Sequence, residues 1–176
     1  MGYAGGAKQN PTYHALGDHT ETIQIDYDPS RLSYEQLLEI FWRSHEPASR
    51  PWSRQYMAAV FYHSEAQRVA AQASRAREAV RRGRKLSTEI LPATAFTLAE
   101  DYHQKYHLQQ DRVLLREFRA IYPDLRPFVD STAAARVNGY LGGQGKAADL
   151  EAELHQLGLS PPAQEHLLRA VRPHAR

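Results

Sequence analysis

Residues 2–21 read GYAGGAKQNPTYHALGDHTE. Four of these residues are glycines, at positions 2, 5, 6 and 17, and Pro11 lies among them. Glycine adopts backbone angles that other residues avoid, and proline cannot donate a hydrogen bond to a neighbouring strand. The stretch therefore predicts a structured loop over residues 2–20. Its dense set of polar side chains is typical of one half of an active site.

The following residues predict strands and helices in alternation. Residues 20–28 alternate between polar and apolar side chains, which is typical of a half-buried strand. Ser33 and Gln36 have the spacing of a capping box and predict a helix after them. Ser64 and Gly83 mark the start and the end of a second helix. Further along the chain we expect strands at 55–62 and 86–90, and a helix at 99–109.

Beyond Asp111 the sequence predicts helices only. A glycine-rich loop at residues 138–145 separates them, and Ser160 with Pro161 marks the start of the last helix. We expect this tail to pack on the first part of the chain.

Composition limits the classes of function. With 176 residues and 42% hydrophobic content, the chain is expected to form one soluble unit. A formal charge of +2 argues against a nucleic-acid partner. No apolar run approaches the roughly 20 residues that cross a membrane, and the first residues lack the charged-then-apolar pattern of a signal peptide, so we expect a cytoplasmic location. The 176 residues contain no Cys, which excludes thiol catalysis and thiolate metal sites within them.

Five segments, in this order and spacing, resemble the peptide methionine sulfoxide reductase A family. They are Gly2–Gly6, Asn10–Tyr13, His19–Glu21, Gln55–Tyr56 and Glu100–Tyr106. The resemblance implies an α+β fold, with a ferredoxin-like mixed sheet and helices on its faces. It places a reductase-like domain at residues 1–110. Residues 111–176, which include Val137–Tyr140, are similar to the helical C-terminal extension of an animal-type branch.

The resemblance also implies an activity. Family members reduce the S-epimer of methionine sulfoxide, in proteins or free, and use thioredoxin or another thiol reductant but no cofactor. Their nucleophile is a Cys or selenocysteine in a Gly-Cys-Phe-Trp-Gly motif, which these 176 residues do not contain. We expect the family's N-terminal strand and helix to be missing together with that motif, so the chain corresponds to an N-terminally truncated form.

The resemblance assigns roles to three residues. Glu21 protonates the sulfoxide oxygen, a role typical of a carboxyl group withdrawn from water, while the hydroxyls of Tyr13 and Tyr56 orient that oxygen. The structural alternative is an exposed glutamate at a strand edge and two tyrosines in a core. His19 either tunes Glu21 or bonds to the backbone of a turn. Residues 51–56 lack the Asp that the family often has before the second tyrosine.

Three other features are more easily explained by structure than by function. His103 and His107 have a spacing that could hold a metal, but no third ligand is indicated, so we expect no metal site. The arginine-rich run at 75–85 could indicate a polyanionic partner, but it is more simply explained as the solvent-exposed face of a helix. In the 138–145 loop, Leu141 follows Tyr140 where many family members have a recycling Cys, although a plain connector between helices is an equal alternative.

Three interpretations remain open at this point. The chain is an incomplete or inactive form of a methionine sulfoxide reductase, or a catalytically dead protein that binds methionine sulfoxide, or a product that does not fold. The third follows if loss of a central strand exposes sheet edges at a cost that a marginally stable domain cannot bear.

The absence of Cys generates the first prediction. Sulfoxide reduction needs a thiolate or selenolate to attack sulfur, so the purified chain should not turn over methionine sulfoxide with dithiothreitol as reductant. The assay is methionine formation compared with a control without protein. Turnover above that control would refute the expectation.

Overall fold

The glycine-rich start of the chain forms a strand rather than the predicted loop. In the computed structural model, which describes residues 1–171, β1 (Gly2–Ala4) pairs antiparallel with β2 (Thr20–Thr22) and with β5 (Thr97–Leu98). A Cβ atom at Gly2 would lie 2.3 Å from the Thr97 carbonyl oxygen, so glycine permits the close approach of β5. The loop therefore begins only after Ala4.

The strand predicted at residues 20–28 is wrong beyond Thr22. β1 offers only three partners, and its register with β2 ends where Gly2 faces Thr22. No described strand lies opposite residues 23–28, and Ile23 and Ile25 are 70% and 52% exposed. Alternation in the sequence defines the two faces of a strand, but it does not supply the neighbour that makes the strand form.

Two further strands form a separate parallel pair. β3 (Ala59–Tyr62) and β4 (Glu89–Pro92) are connected through a long helix, and Val60 faces Ile90 in the register. Both strands begin three or four residues later than the sequence predicts. Before β3, residues Arg54–Tyr56 form a 3₁₀ turn instead of a strand. The α+β class is confirmed, with its strands distributed over two small sheets.

The first two helices of the chain begin where their capping residues predict. α1 (Tyr34–Arg43) has a complete capping box, because Ser33 Oγ accepts from Gln36 N and Gln36 Oε1 accepts from Ser33 N. α2 (Glu65–Arg82) is capped by the Ser64 hydroxyl. It ends at Gly83, whose φ of +64° is the left-handed conformation that glycine favours at helix ends.

A buried network holds α1 against α2. Trp42 Nε1 donates to Ser74 Oγ at 3.0 Å, inside a cluster that also includes Leu38, Ala71 and Leu86. Glu78, only 7% exposed, accepts hydrogen bonds from the guanidinium groups of Arg81 and Arg82. Arg82 also donates to the Trp42 carbonyl oxygen at 3.1 Å. Hydrogen bonds and apolar packing therefore join the same two helices.

The chain divides into two units, the first being Met1–Glu100 and the second beginning at Asp101. The described part of the second unit is helical, around a core that includes Leu108, Phe118 and Phe128. Its helices are α3 (Tyr106–Gln110), α4 (Arg112–Ile121), α5 (Leu125–Asp130), α6 (Thr132–Leu141), α7 (Ala147–Glu153) and α8 (Pro161–Val171). The sequence division at residue 110 rests on the family resemblance and stays a prediction.

Two predictions in this region are wrong. The helix expected at 99–109 is a 3₁₀ turn at Asp101–His103 followed by α3, because Lys105 adopts a φ of +49° between them. The loop expected at 138–145 starts only at Gly142, since α6 continues to Leu141. Asn138 has a role inside that helix, where its Oδ1 accepts from the Leu108 amide. None of the helices described in residues 1–171 has the length and apolar character needed to span a membrane.

The Glu78 network predicts an acid-sensitive contribution to stability. Hydrogen bonds from Arg81 and then Arg82 lower the pKa of Glu78 from 4.5 to about 2. A carboxylate with a depressed folded-state pKa stabilises the fold fully above its unfolded pKa, and this stabilisation is lost as the pH falls through the folded value. Glu78→Gln should therefore lower the free energy of unfolding by about 1–3 kcal/mol at pH 7.

Urea denaturation across pH tests this prediction. The difference between Glu78→Gln and the wild-type chain should shrink as the pH falls from 4.5 toward 2. Glu39→Gln, which removes an exposed pair with Arg43, serves as the control and should change stability by less than about 1 kcal/mol. A Glu78→Gln penalty that is absent at pH 7 or unchanged at low pH would contradict the account.

Candidate functional site

The three predicted site residues lie together in the first unit. Tyr13 lies between β1 and β2, Glu21 lies in β2, and Tyr56 ends the 3₁₀ turn. The Tyr13 hydroxyl and the Glu21 carboxylate are both near enough to the Tyr56 hydroxyl to act on its ionisation. Glu21 and Tyr13 are half-buried, while Tyr56 is 44% exposed. The group is thus open to a ligand, unlike a pair of core tyrosines, although the roles of its members stay predictions.

Gln55 is a member of this group to which sequence analysis assigned no role. Its Nε2 donates to Glu21 Oε1 at 2.7 Å and fixes the direction of that carboxyl group. Gln55 precedes Tyr56 in the 3₁₀ turn, so one short segment supplies both the Tyr56 hydroxyl and the donor that contacts Glu21. In the sequence, Gln55 belongs to the matching segment Gln55–Tyr56, but the resemblance assigns a role only to Tyr56.

The surroundings of Tyr56 keep its hydroxyl protonated. Partial withdrawal from water raises the pKa of Tyr56, and the Tyr13 hydroxyl and the Glu21 carboxylate raise it further. A neutral phenol both donates and accepts hydrogen bonds. Tyr56 can therefore donate to an oxygen atom that enters the group.

Glu100 fixes the position of Tyr13. Its Oε1 accepts from the Tyr13 backbone N–H at 3.0 Å, and its Oε2 accepts from the Tyr3 hydroxyl at 2.6 Å. Tyr3 is 1% exposed and lies in β1, so the carboxylate connects the loop to the sheet. The sequence contained Glu100 within a matching segment but gave no reason to place it near Tyr13.

Asp18 and His19 shape the loop between β1 and β2. Both Asp18 carboxylate oxygens accept from the Ala7 amide, and one also accepts from the Lys8 amide, so the pKa of Asp18 is lowered. His19, 3% exposed, accepts from Gly6 N at its Nδ1 atom, which leaves Nε2 to donate to the Lys8 carbonyl oxygen at 2.8 Å. His19 thus bonds to the backbone of the turn, the second of its two predicted roles.

Arg54 joins this loop to the 3₁₀ turn. Its Nε donates to the Asp18 carbonyl oxygen at 2.7 Å, and its Nη2 donates to the Gly5 carbonyl oxygen at 3.2 Å. In return, Thr20 Oγ1 donates to the Arg54 carbonyl oxygen at 3.0 Å. These bonds cross between segments that are far apart in sequence, and they set Tyr56 beside Tyr13 and Glu21.

The other candidates have structural surroundings. The His107 ring lies so close to Gly142 that a Cβ atom there would be 2.8 Å from it, which is a packing contact in the second unit. Arg81, Arg82 and Arg84 form ion pairs with Glu78 and Glu46. Among residues 1–171, no three His, Asp or Glu side chains lie together as a metal site requires.

The arrangement suits an uncharged ligand that carries a strongly accepting oxygen. The hydroxyls of Tyr13 and Tyr56 lie close to the carboxyl group of Glu21. A carboxyl group in its protonated form can deliver a proton to a bound oxygen. The residues that form the group include no nucleophile able to accept and pass on electrons.

Known proteins resemble the chain over most of its length. The sequence profile of the peptide methionine sulfoxide reductase family matches residues 1–128. A peptide methionine sulfoxide reductase of Drosophila melanogaster is 40% identical over 168 residues, which cover 94% of this chain and 67% of that protein. Peptide methionine sulfoxide reductase A5 of Oryza sativa subsp. japonica is 35% identical, and the match covers 80% of this chain and 57% of that protein.

A solved structure shares the fold. The crystal structure of Mxr1 from Saccharomyces cerevisiae in reduced form superposes with a TM-score of 0.58 and 27% sequence identity. The match covers 62% of this chain and 68% of that one.

The Glu100 contacts generate a prediction about local order. Glu100→Ala removes the acceptor of the Tyr13 amide, so hydrogen exchange at that amide should accelerate by about tenfold or more, as loss of a hydrogen bond to a charged group implies. Tyr3→Phe removes only the second bond to Glu100 and should have a smaller effect. The measurement is residue-resolved amide exchange by NMR. Equal exchange at Tyr13 in Glu100→Ala and the wild-type chain would contradict the role assigned to Glu100.

Proposed function

The chain belongs to the peptide methionine sulfoxide reductase family, and from that premise we propose that it binds methionine sulfoxide through the sulfoxide oxygen. In this proposal residues 1–100 provide the oxygen-binding side of a reductase site. The single observation that carries it is the convergence of the Tyr13 and Tyr56 hydroxyls with the Glu21 carboxyl group.

The bound oxygen would lie between the two tyrosine hydroxyls. A sulfoxide oxygen accepts hydrogen bonds but donates none, so it matches a site lined by phenol hydroxyls. Methionine lacks that oxygen and cannot accept from them. Selectivity for the oxidised side chain follows from this difference.

Glu21 would supply the proton. When a thiolate or selenolate attacks the sulfoxide sulfur, negative charge develops on the oxygen. Once that oxygen is protonated, the S–O bond breaks, the oxygen passes to the attacking atom as a sulfenic or selenenic acid, and the methionine thioether is released. A protonated Glu21 delivers its proton to that oxygen, and Gln55 keeps the carboxyl group directed toward it. The two tyrosine hydroxyls stabilise the same oxygen during the transfer.

The nucleophile is not among these 176 residues, since they contain no Cys. A serine or tyrosine oxygen cannot substitute, because it offers no route through the sulfenic acid and disulfide by which thiols return electrons. We therefore propose binding without turnover for these residues alone. A thioredoxin-type reductant and a cytoplasmic location stay predictions.

A second candidate function uses the same group. In it, the chain recognises oxidised methionine in proteins as a catalytically dead binding protein. This candidate is favoured because the oxygen-binding group is complete and is supported by hydrogen bonds of Arg54 and Glu100. A protein that did not bind methionine sulfoxide would not need these residues in such an arrangement. In the first candidate the group acts together with a nucleophile that these 176 residues do not contain, whereas in the second no nucleophile takes part.

Binding measurements test the proposal directly. Isothermal titration with a peptide that contains one S-epimer of methionine sulfoxide should show binding, with at least about tenfold weaker affinity for the same peptide containing methionine. Tyr13→Phe, Tyr56→Phe and Glu21→Gln should each weaken binding by about threefold to tenfold. Tyr122→Phe, in the second unit, is the matched control and should bind normally. Equal affinity for the oxidised and the unoxidised peptide would overturn the proposal.

A further inference from the structure

Trp52 places an exposed indole ring beside the oxygen-binding group. Its side chain is 83% exposed, although tryptophan is usually well covered in folded proteins. The ring centroid lies 4.9 Å from that of Tyr56, with the two planes inclined by 39°. Tyr56 in turn lies close to Tyr13 and Glu21, which both act on its hydroxyl. The apolar surface of Trp52 is therefore continuous with the site.

The backbone that carries Trp52 is held in place. Arg54, two residues later, donates to carbonyl oxygens of Asp18 and Gly5, and its own carbonyl oxygen accepts from Thr20. Contact with the Tyr56 ring further restricts the indole. An aromatic surface that is already ordered loses little conformational entropy when it binds a ligand.

We infer that Trp52 is a specificity-determining residue that packs against an apolar side chain next to the oxidised methionine in a peptide. This inference rests on the proposed function. If the sulfoxide oxygen meets Tyr13 and Tyr56, the methionine lies beside the Tyr56 ring, and an adjacent residue is only about 3.8 Å further along the chain between Cα atoms. An aliphatic neighbour covers apolar indole surface, whereas a small polar neighbour covers little.

Free methionine sulfoxide lacks such a neighbour. It carries a charged ammonium and a charged carboxylate where a peptide continues into further residues. The indole should thus add affinity only for peptides, and only for those with an apolar flanking residue. The substrate class that follows is oxidised methionine within apolar segments of polypeptide chains.

Two blocked pentapeptides test the inference. Both carry methionine sulfoxide at the centre, flanked on each side by Leu in one peptide and by Ser in the other. The wild-type chain should prefer the Leu peptide. Trp52→Ala should weaken binding of the Leu peptide by about threefold to tenfold, and leave the Ser peptide and free methionine sulfoxide unchanged. Trp52→Phe should retain most of the preference, and Val80→Ala, which alters another exposed apolar residue, should retain all of it.

Intrinsic fluorescence provides a second readout. The chain has two tryptophans, and Trp42 is only 4% exposed. The Leu peptide should change the emission of the wild-type chain but not that of Trp52→Phe, while circular dichroism confirms that the variants are folded.

The outcomes distinguish failure of this inference from failure of the proposed function. If Trp52→Ala binds both peptides as the wild-type chain does while Glu21→Gln weakens both, the inference is overturned and the proposed function stands. If Trp52→Ala weakens free methionine sulfoxide as much as the Leu peptide, the indole contacts the methionine itself and the inference is again overturned. Failure of the wild-type chain to bind any of the three ligands would overturn the proposed function.

Discussion

The guanidinium group of Arg54 is the constraint on which the site depends. It donates to the carbonyl oxygens of Gly5 and Asp18, and so joins the loop after β1 to the 3₁₀ turn. Together with the bonds from Thr20 to the Arg54 carbonyl oxygen and from Gln55 to Glu21, it sets Tyr56 beside Tyr13 and Glu21. A charged donor with several N–H groups is well suited to hold two carbonyl groups at once.

The sequence indicated which candidate site residues group together, but not which residues support them. Tyr13, Glu21 and Tyr56 lie in segments with a distinctive order, and the structure brings them together. Gln55 and Glu100 were present in the same segments, but their partners are 34 and 87 residues away in sequence, so no local pattern could indicate them. Hydrogen bonds across such separations become visible only when the chain is folded.

The fold was predictable where local interactions decide it. The caps at Ser33 and Ser64 fix the starts of α1 and α2 through contacts within a few residues. Strand lengths were not predictable, because a strand continues only as far as its partner does. Because β1 has only three residues, β2 ends at Thr22 and Ile23 is exposed. The alternation in the sequence continues for six residues beyond Thr22. Lys105 similarly divides an expected helix by its left-handed backbone angle.

In the proposed complex the two tyrosines and Glu21 hold the sulfoxide oxygen. A crystal structure of the chain with an S-epimer methionine sulfoxide peptide would locate that oxygen. We expect it at hydrogen-bonding distance, about 2.5–3.0 Å, from the hydroxyls of Tyr13 and Tyr56 and close to the Glu21 carboxyl group. A peptide bound with its sulfoxide oxygen in solvent, or at another surface, would contradict this expectation.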